Sequence, residues 1–131
     1  MEMQIIVFTL GEKFYAFNSE KVEEISKLID STVVPRSPAW IKGLINLRGN
    51  VVSLVNLSRL MKHEDNQCYT NIVIVNVKDE KIGIMVNEVR EVLKVKEEDI
   101  EKVSMETGDG VVGILQLEGK LVNYIDLDLI I

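Results

Sequence analysis

The stretch GLINLRGNVVSLVNL, Gly43 to Leu57, decides the fold. Apolar residues run up to Arg48-Gly49 and resume directly after it, the pattern of two strands joined by a tight turn. A glycine suits such a turn because the backbone there takes a positive φ angle, which a side chain resists. The arginine beside it has no such explanation. Arg48 is either an ordinary turn residue, solvated or ion-paired, or an anchor for something outside the hairpin.

Outward from this hairpin, IIVFTLGEKFYAF (Ile5–Phe17) predicts a strand, a turn at Gly11 and a second strand. SEKVEEISKLI (Ser19–Ile29) spaces Val22, Ile25 and Ile29 at helical intervals and predicts a short helix with Ser19 as its cap. STVVPRSPAW (Ser31–Trp40) predicts a short strand, then a loop fixed by Pro35 and Pro38. KHEDNQ (Lys62–Gln67) is polar, lacks periodicity and reads as a connector.

After the connector the plan repeats. NIVIVNVKDEKIGIMV lies on QIIVFTLGEKFYAFNS without a gap at an offset of 67, which puts VREV (Val89–Val92) on VEEI (Val22–Ile25). GILQLEGKLVNYIDLDLII lies on GLINLRGNVVSLVNLSRLM at an offset of 70. Gly43, Leu47, Gly49, Val52 and Leu57 recur as Gly113, Leu117, Gly119, Val122 and Leu127. The chain is therefore mainly β, with two similar halves, 1–67 and 68–131, each of roughly five strands and one short helix, and with exchange of strands between them left open. Small β units bury little apolar area alone, so fused copies share an apolar interface, and a cleft beside it is a natural docking place. In the second copy Glu118 stands where the first has Arg48, while the glycine is kept. The turn tolerates either charge, so Arg48 answers to something beyond the hairpin.

Composition narrows the function classes. The chain has 131 residues, 47% of them apolar and only 5% aromatic, so its core is built from Val, Ile and Leu. A net charge of −6 without a clustered basic face argues against nucleic-acid binding. Met1 to Leu10 lacks the form of a secretory signal, and no apolar run reaches the roughly 18 residues of a membrane span. The lone cysteine, Cys68, cannot pair internally, which points to the reducing cytoplasm.

Catalytic constellations are missing from the pattern. His63 and Cys68 flank the connector, and no second cysteine or histidine completes a metal or nucleophile site, so both read as linker residues. Asp126 and Asp128 fall on one face of a predicted final strand, too few oxygens for a hard cation, and read as solvated. TGDGVVG (Thr107–Gly113) lacks the lysine and hydroxyl of a phosphate loop and reads as a loop, and KVKEEDIEKV (Lys94–Val103) mixes charges like a solvent-facing turn. No cofactor or metal is expected, and an enzyme is the weakest class.

PAWIKGLINLRGNVVSLVNL resembles the central motif of the CheW family of bacterial chemotaxis coupling proteins. FTLGEKFYAFNSEKVEEI, KIGIMVNEVREVLKV and VVGILQLEGKLVNYIDLDLI resemble its first hairpin and helix, its second-half counterpart and its closing strands, so the likeness spans roughly Gln4 to Ile130. The resemblance implies two small five-stranded SH3-like β-barrels around a shared apolar interface. It implies an adaptor, not a catalyst, that binds chemoreceptor cytoplasmic tips and the regulatory domain of the histidine kinase CheA. That role is cytoplasmic, at receptor arrays, without membrane insertion. Carried over by position, Arg48 and Asn46 of the asparagine-leucine-arginine-glycine motif, with Val22, Glu24, Ile25 and Val89, fall at the receptor-facing groove. Kinase contacts use barrel ends and are not assigned to residues. Val22, Ile25, Val89 and Val92 have a core-packing reading beside the groove one. Ser53, Asn56 and Asn87 depart from the proline and aspartates common in relatives, and the chain stops at Ile131 where many continue into a terminal helix. A CheW-like regulatory domain excised from a CheA kinase is the alternative.

Overall fold

Two-residue turns set the strand pairing in the computed structural model, which describes residues 1–63, 68–103 and 110–131. In chain order, β1 (Glu2–Leu10) and β2 (Lys13–Asn18) form the first hairpin, followed by β3 (Val22–Lys27). Then come β4 (Ile41–Leu47), β5 (Asn50–Asn56) and a single helical turn, α1 (Leu57–Leu60). The second half repeats this with β6 (Asn71–Val77), β7 (Glu80–Val86), β8 (Glu88–Lys96), the two-residue β9 (Glu101–Lys102), β10 (Val111–Leu117), β11 (Lys120–Ile125) and α2 (Leu127–Ile130). Arg48-Gly49 has φ angles of 49° and 87°, and Glu118-Gly119 has 48° and 80°. Two consecutive positive φ values are the signature of the turn whose twist matches a right-handed hairpin.

Each sheet draws strands from both halves. One runs β8-β1-β2-β11-β10-β9 and the other β3-β6-β7-β5-β4. Four pairings join the halves: two parallel, β2 with β11 (Tyr15 opposite Asn123) and β5 with β7 (Val55 opposite Ile84), and two antiparallel, β1 with β8 and β3 with β6. The sheets have six and five strands, and neither ladder closes into a full ring among the described residues.

The core has three layers, which explains the near-continuous apolar runs of β1 and β6. Ile6, Phe8, Tyr15 and Phe17 pack with Val73, Val75, Ile84 and Val86 in a central cluster between the sheets. Their neighbours in sequence point the other way. Ile5, Val7 and Ala16 fill the six-stranded sheet with Leu115 and Val122, while Ile72, Ile74 and Met85 fill the five-stranded one with Ile45, Val52 and Leu54. Strands buried on both faces lose the alternation of a half-exposed sheet. Burial of each large side chain contributes about 1.5–3 kcal/mol, so the shared layer holds the two sheets together.

The expected helix over Ser19–Ile29 is not formed. Ser19–Lys21 makes one 3-10 turn, capped by Asn18 rather than Ser19, and Val22 begins a strand. The helical spacing has a different origin. A β-bulge between Val22 and Glu24 puts Val22 opposite Val75 and Ile25 opposite Val73, so two residues three apart share a strand face, Val22 packed on the central cluster and Ile25 exposed at its margin. The same bulge recurs in β8, where Val89 lies opposite Phe8 and Val92 opposite Ile6. The matched pattern is real, but its element is a bulged strand.

Other boundaries also differ. Ser31–Pro35 forms no strand beyond a bridge between Thr32 and Leu44. The last strand stops at Ile125, where the Asp126 carboxylate accepts from the Asp128 amide at 3.0 Å and starts α2. Lys94–Val103 is not a simple turn: β8 runs to Lys96, a 3-10 turn covers Glu97–Asp99, and β9 follows. Val111–Gly113 lies in β10, whereas residues 64–67 of the connector and 104–109 lie outside the described residues.

Candidate functional site

Arg48 occupies the first turn position between β4 and β5, and its Nη2 donates to Glu24 Oε2 on β3. β3 and β4 are opposite edges of the five-stranded sheet, so this ion pair bridges the open seam of the curled sheet. Glu24 lies opposite Ile74, whose side chain fills the sheet's inner layer, so its carboxylate sits at the end of that layer. The hydrogen bond from Arg48 holds the Glu24 carboxyl below the usual carboxylate range, against a smaller opposing effect of desolvation. The same bond raises the guanidinium's pKa. Yet the Arg48 side chain stays 73% exposed, against 28% for Glu24. A guanidinium has five N–H donors, so the contact with Glu24 orients it and leaves donors toward solvent.

The other expected residues divide. Asn46 is beside Arg48, but its Oδ1 accepts from the Gly49 amide at 3.0 Å and so closes the turn. Ile25 follows Glu24 and is 44% exposed. Val22 is half-buried against the central cluster. Val89 packs on the same cluster from β8, an edge of the other sheet, so it stands apart from the Arg48 end. Val51, the second residue of β5, was not singled out in the sequence and is 68% exposed, as is its repeat equivalent Leu121 at 63%, and exposure of an apolar strand residue leaves no mark in the pattern.

Between the halves, Lys21 pairs with Asp128 at 3.0 Å, so the carboxylates of Asp126 and Asp128 are a helix cap and an ion-pair partner, not two solvated groups on a strand face. His63 is more than a linker residue, with Nδ1 3.0 Å from the Tyr15 hydroxyl. Asn87 uses both amide atoms: Oδ1 accepts from the Gly11 amide across the halves, and Nδ2 donates to the Cys68 carbonyl within its own half at 2.6 Å. An aspartate could not make the second bond, which explains this departure. Among the described residues no cluster of three metal-ligating side chains occurs, and no helix is long and apolar enough to cross a membrane.

A CheW-like domain model matches residues 4–131. The chain is 32% identical over 133 residues to the chemotaxis protein CheW of Thermotoga maritima, an alignment covering 99% of this chain and 88% of that one. It is 31% identical over 134 residues to the chemotaxis protein CheW of Bacillus subtilis, covering 98% and 86%. The crystal structure of the scaffolding protein TtCheW from Thermoanaerobacter tengcongensis matches with a TM-score of 0.87 at 29% identity, over 99% of this chain and 88% of that one. With its double-sheet core and its asparagine-leucine-arginine-glycine turn, the chain belongs to the CheW family and is a chemotaxis scaffold protein rather than an enzyme.

Proposed function

We propose that this scaffold couples the cytoplasmic tips of chemoreceptors to the histidine kinase CheA. The observation that carries this reading is the Arg48 end of the five-stranded sheet. There a guanidinium is oriented by Glu24 and remains mostly exposed, with exposed Ile25 next to Glu24 in β3 and exposed Val51 near the start of β5. An oriented, exposed arginine is a common interface anchor. Arg48, Asn46, Glu24 and Ile25 form the receptor-facing patch, whereas Val22 and Val89 pack on the central cluster, Val89 from the other sheet and away from this end. Binding receptor and kinase together makes the second contact effectively intramolecular, so each can be modest and the assembly still firm. This places the protein in the cytoplasm, held at receptor arrays.

The test is CheA autophosphorylation in receptor-containing membranes, with and without the protein. Stimulation that requires receptor, kinase and protein together supports the coupling role. Unchanged phosphorylation with matched receptors and kinase rejects it.

A further inference from the structure

The two sheets are sealed along their seams in different ways. In the six-stranded sheet, Leu93 and Val95 of β8 and Ile100 just beyond it pack with Val7, Leu115 and Val122 in the inner layer. The backbone closes over them: β9 pairs with β10 (Lys102 opposite Gly113, Glu101 opposite Ile114), and the Val103 amide donates to the Val112 carbonyl at 3.2 Å. In the five-stranded sheet the repeat puts Ser26 and Leu28 at the positions of Leu93 and Val95. Among the described residues, nothing from β3 joins the inner layer of Ile45, Val52, Leu54, Ile72, Ile74 and Met85. Leu28 is 41% exposed, against 7% for Val95. Beyond β3 the chain is held to β4 by the bridge of Thr32 and Leu44, whose amides and carbonyls bond reciprocally at 2.8 Å.

The bulge glycines show what is missing. A Cβ on Gly113 would meet Ile100 Cγ2, whereas the side-chain atom beside Gly43 is Ser31 Oγ, at 3.1 Å from the same point. A hydroxyl group thus stands where the other half has a branched aliphatic plug. Next to it an open cleft of about 890 Å³ is lined by buried Leu54 and Met85 and by residues of the segment 28–33. That segment carries apolar side chains, and they are not packed down. Ile29 is 36% exposed, and Val33, two residues from Ser31 and so on the same face of the extended chain, is 73% exposed. Asp30, Lys42 and Arg59 also line the cleft, and Arg59 Nη1 donates to the Ala39 carbonyl at 3.4 Å. Long charged side chains of this kind keep their heads in water while their stems pack.

We infer that residues 28–33 are a strap in its open position, which closes by carrying Leu28 and Val33 over Leu54 and Met85. The other half of the molecule holds the closed form, with Val95 and Ile100 packed on the matching inner layer. Burial of the exposed aliphatic groups drives closure. The root of the strap stays fixed, because the Leu28 amide donates to the Thr70 carbonyl at 3.0 Å, and Pro35 stiffens its far end. Open, the strap offers an apolar edge for docking; closed, it withdraws that edge. The device belongs to the chain alone and does not rest on the coupling role.

The test is NMR relaxation dispersion on the amide- and methyl-labelled full chain, with neither receptor nor kinase present. Exchange on the microsecond-to-millisecond timescale is expected at the amides of residues 29–33 and at the methyl groups of Leu54 and Met85, with a closed population of about 1–10%. None is expected over residues 95–101, where the plug is in place. Ser31→Ile copies Ile100 and is expected to quench the exchange by filling the end of the cleft. Leu28→Ser with Val33→Ser removes the groups that close and is expected to quench it too, the unchanged shifts of β6 and β7 reporting an intact fold. A wild-type strap without exchange would overturn the inference. So would equal exchange over residues 95–101, or exchange at Leu54 and Met85 that survives either variant.

Discussion

The hairpins β4–β5 and β10–β11 share a backbone and differ in what their tips do with charge. Both turn on a residue and a glycine with positive φ, both place a glycine (Gly43, Gly113) at a register shift, and both end in a side-chain cap on a short helix. One tip carries Arg48, bonded to Glu24 across the seam, and the other carries Glu118 near Glu91. What the fold requires has been kept in both copies, and what varies between them is available for recognition. That is why the repeat separates Gly49 from Arg48 more cleanly than either residue's type would.

The comparison breaks most easily through the layer the two halves share. Phe8→Ala, in the central cluster, is expected to cost about 3–5 kcal/mol in denaturant unfolding. Because both sheets stand on that layer, loss should occur in one transition followed alike by probes in β1 and β6. Two separated transitions would mean that the sheets are independent.

The bulge glycines should differ in degree. A Cβ on Gly43 would meet the Thr32 carbonyl oxygen at 2.5 Å, a backbone atom that cannot step aside. On Gly113 the nearest atom is Ile100 Cγ2 at 2.5 Å, a side-chain methyl that can move, and the nearest backbone atom, the Glu101 carbonyl oxygen, is farther off at 3.2 Å. Gly43→Ala is therefore expected to cost about 2–3 kcal/mol and Gly113→Ala clearly less, measured by chemical denaturation. Equal costs would contradict this account of the packing. By contrast, a methyl group on Gly49 or Gly119 would project into open space, with no atom within 4 Å, so only the positive φ resists a side chain there. Their alanine variants should each lose about 1 kcal/mol, and alike.

The smallest expected effect is electrostatic and confined to one tip. Glu24 titrates below the ordinary glutamate range because Arg48 bonds its charged form. Its folded-state pKa is thus lower than in the unfolded chain, so the pair's stabilisation is complete above the unfolded value and fades as pH falls through the folded one. The stability difference between wild type and Arg48→Met should be fully present above the ordinary glutamate range and shrink as pH falls below it. Both side chains being near solvent, salt should shrink it. A difference independent of pH would assign the loss to packing of the arginine stem.

Much of this architecture was legible in the sequence because turns and apolar runs are local signals. Gly11, Gly49 and Gly119 mark real hairpins, and the repeated glycines and leucines carry the double-sheet plan. The misreadings have one physical source. Val22 and Ile25, like Val89 and Val92, are three apart on one face because a bulge adds a residue to the strand, and sequence spacing cannot tell a bulge from a helical turn. Asp126 as a cap was foreshadowed by its equivalent, Asn56, whose Oδ1 accepts from the Arg59 amide at 3.1 Å. The Arg48–Glu24 bond was not legible, since it joins opposite edges of a curled sheet and its partners lie 24 residues apart.

That bond also defines the decisive measurement. Arg48→Glu alone breaks the pair and removes the anchor together, so it cannot separate them. The double substitution Arg48→Glu with Glu24→Arg restores an ion pair across the seam with its direction reversed. Both variants should be compared with wild type in receptor-stimulated CheA autophosphorylation, after circular dichroism has established an equal fold. If Arg48 is a receptor anchor, the double variant recovers the wild-type melting temperature but stays about tenfold or more below wild type in coupling. Full recovery of coupling by the reversed pair would contradict the account, and would make Arg48 a seam latch with no contact of its own.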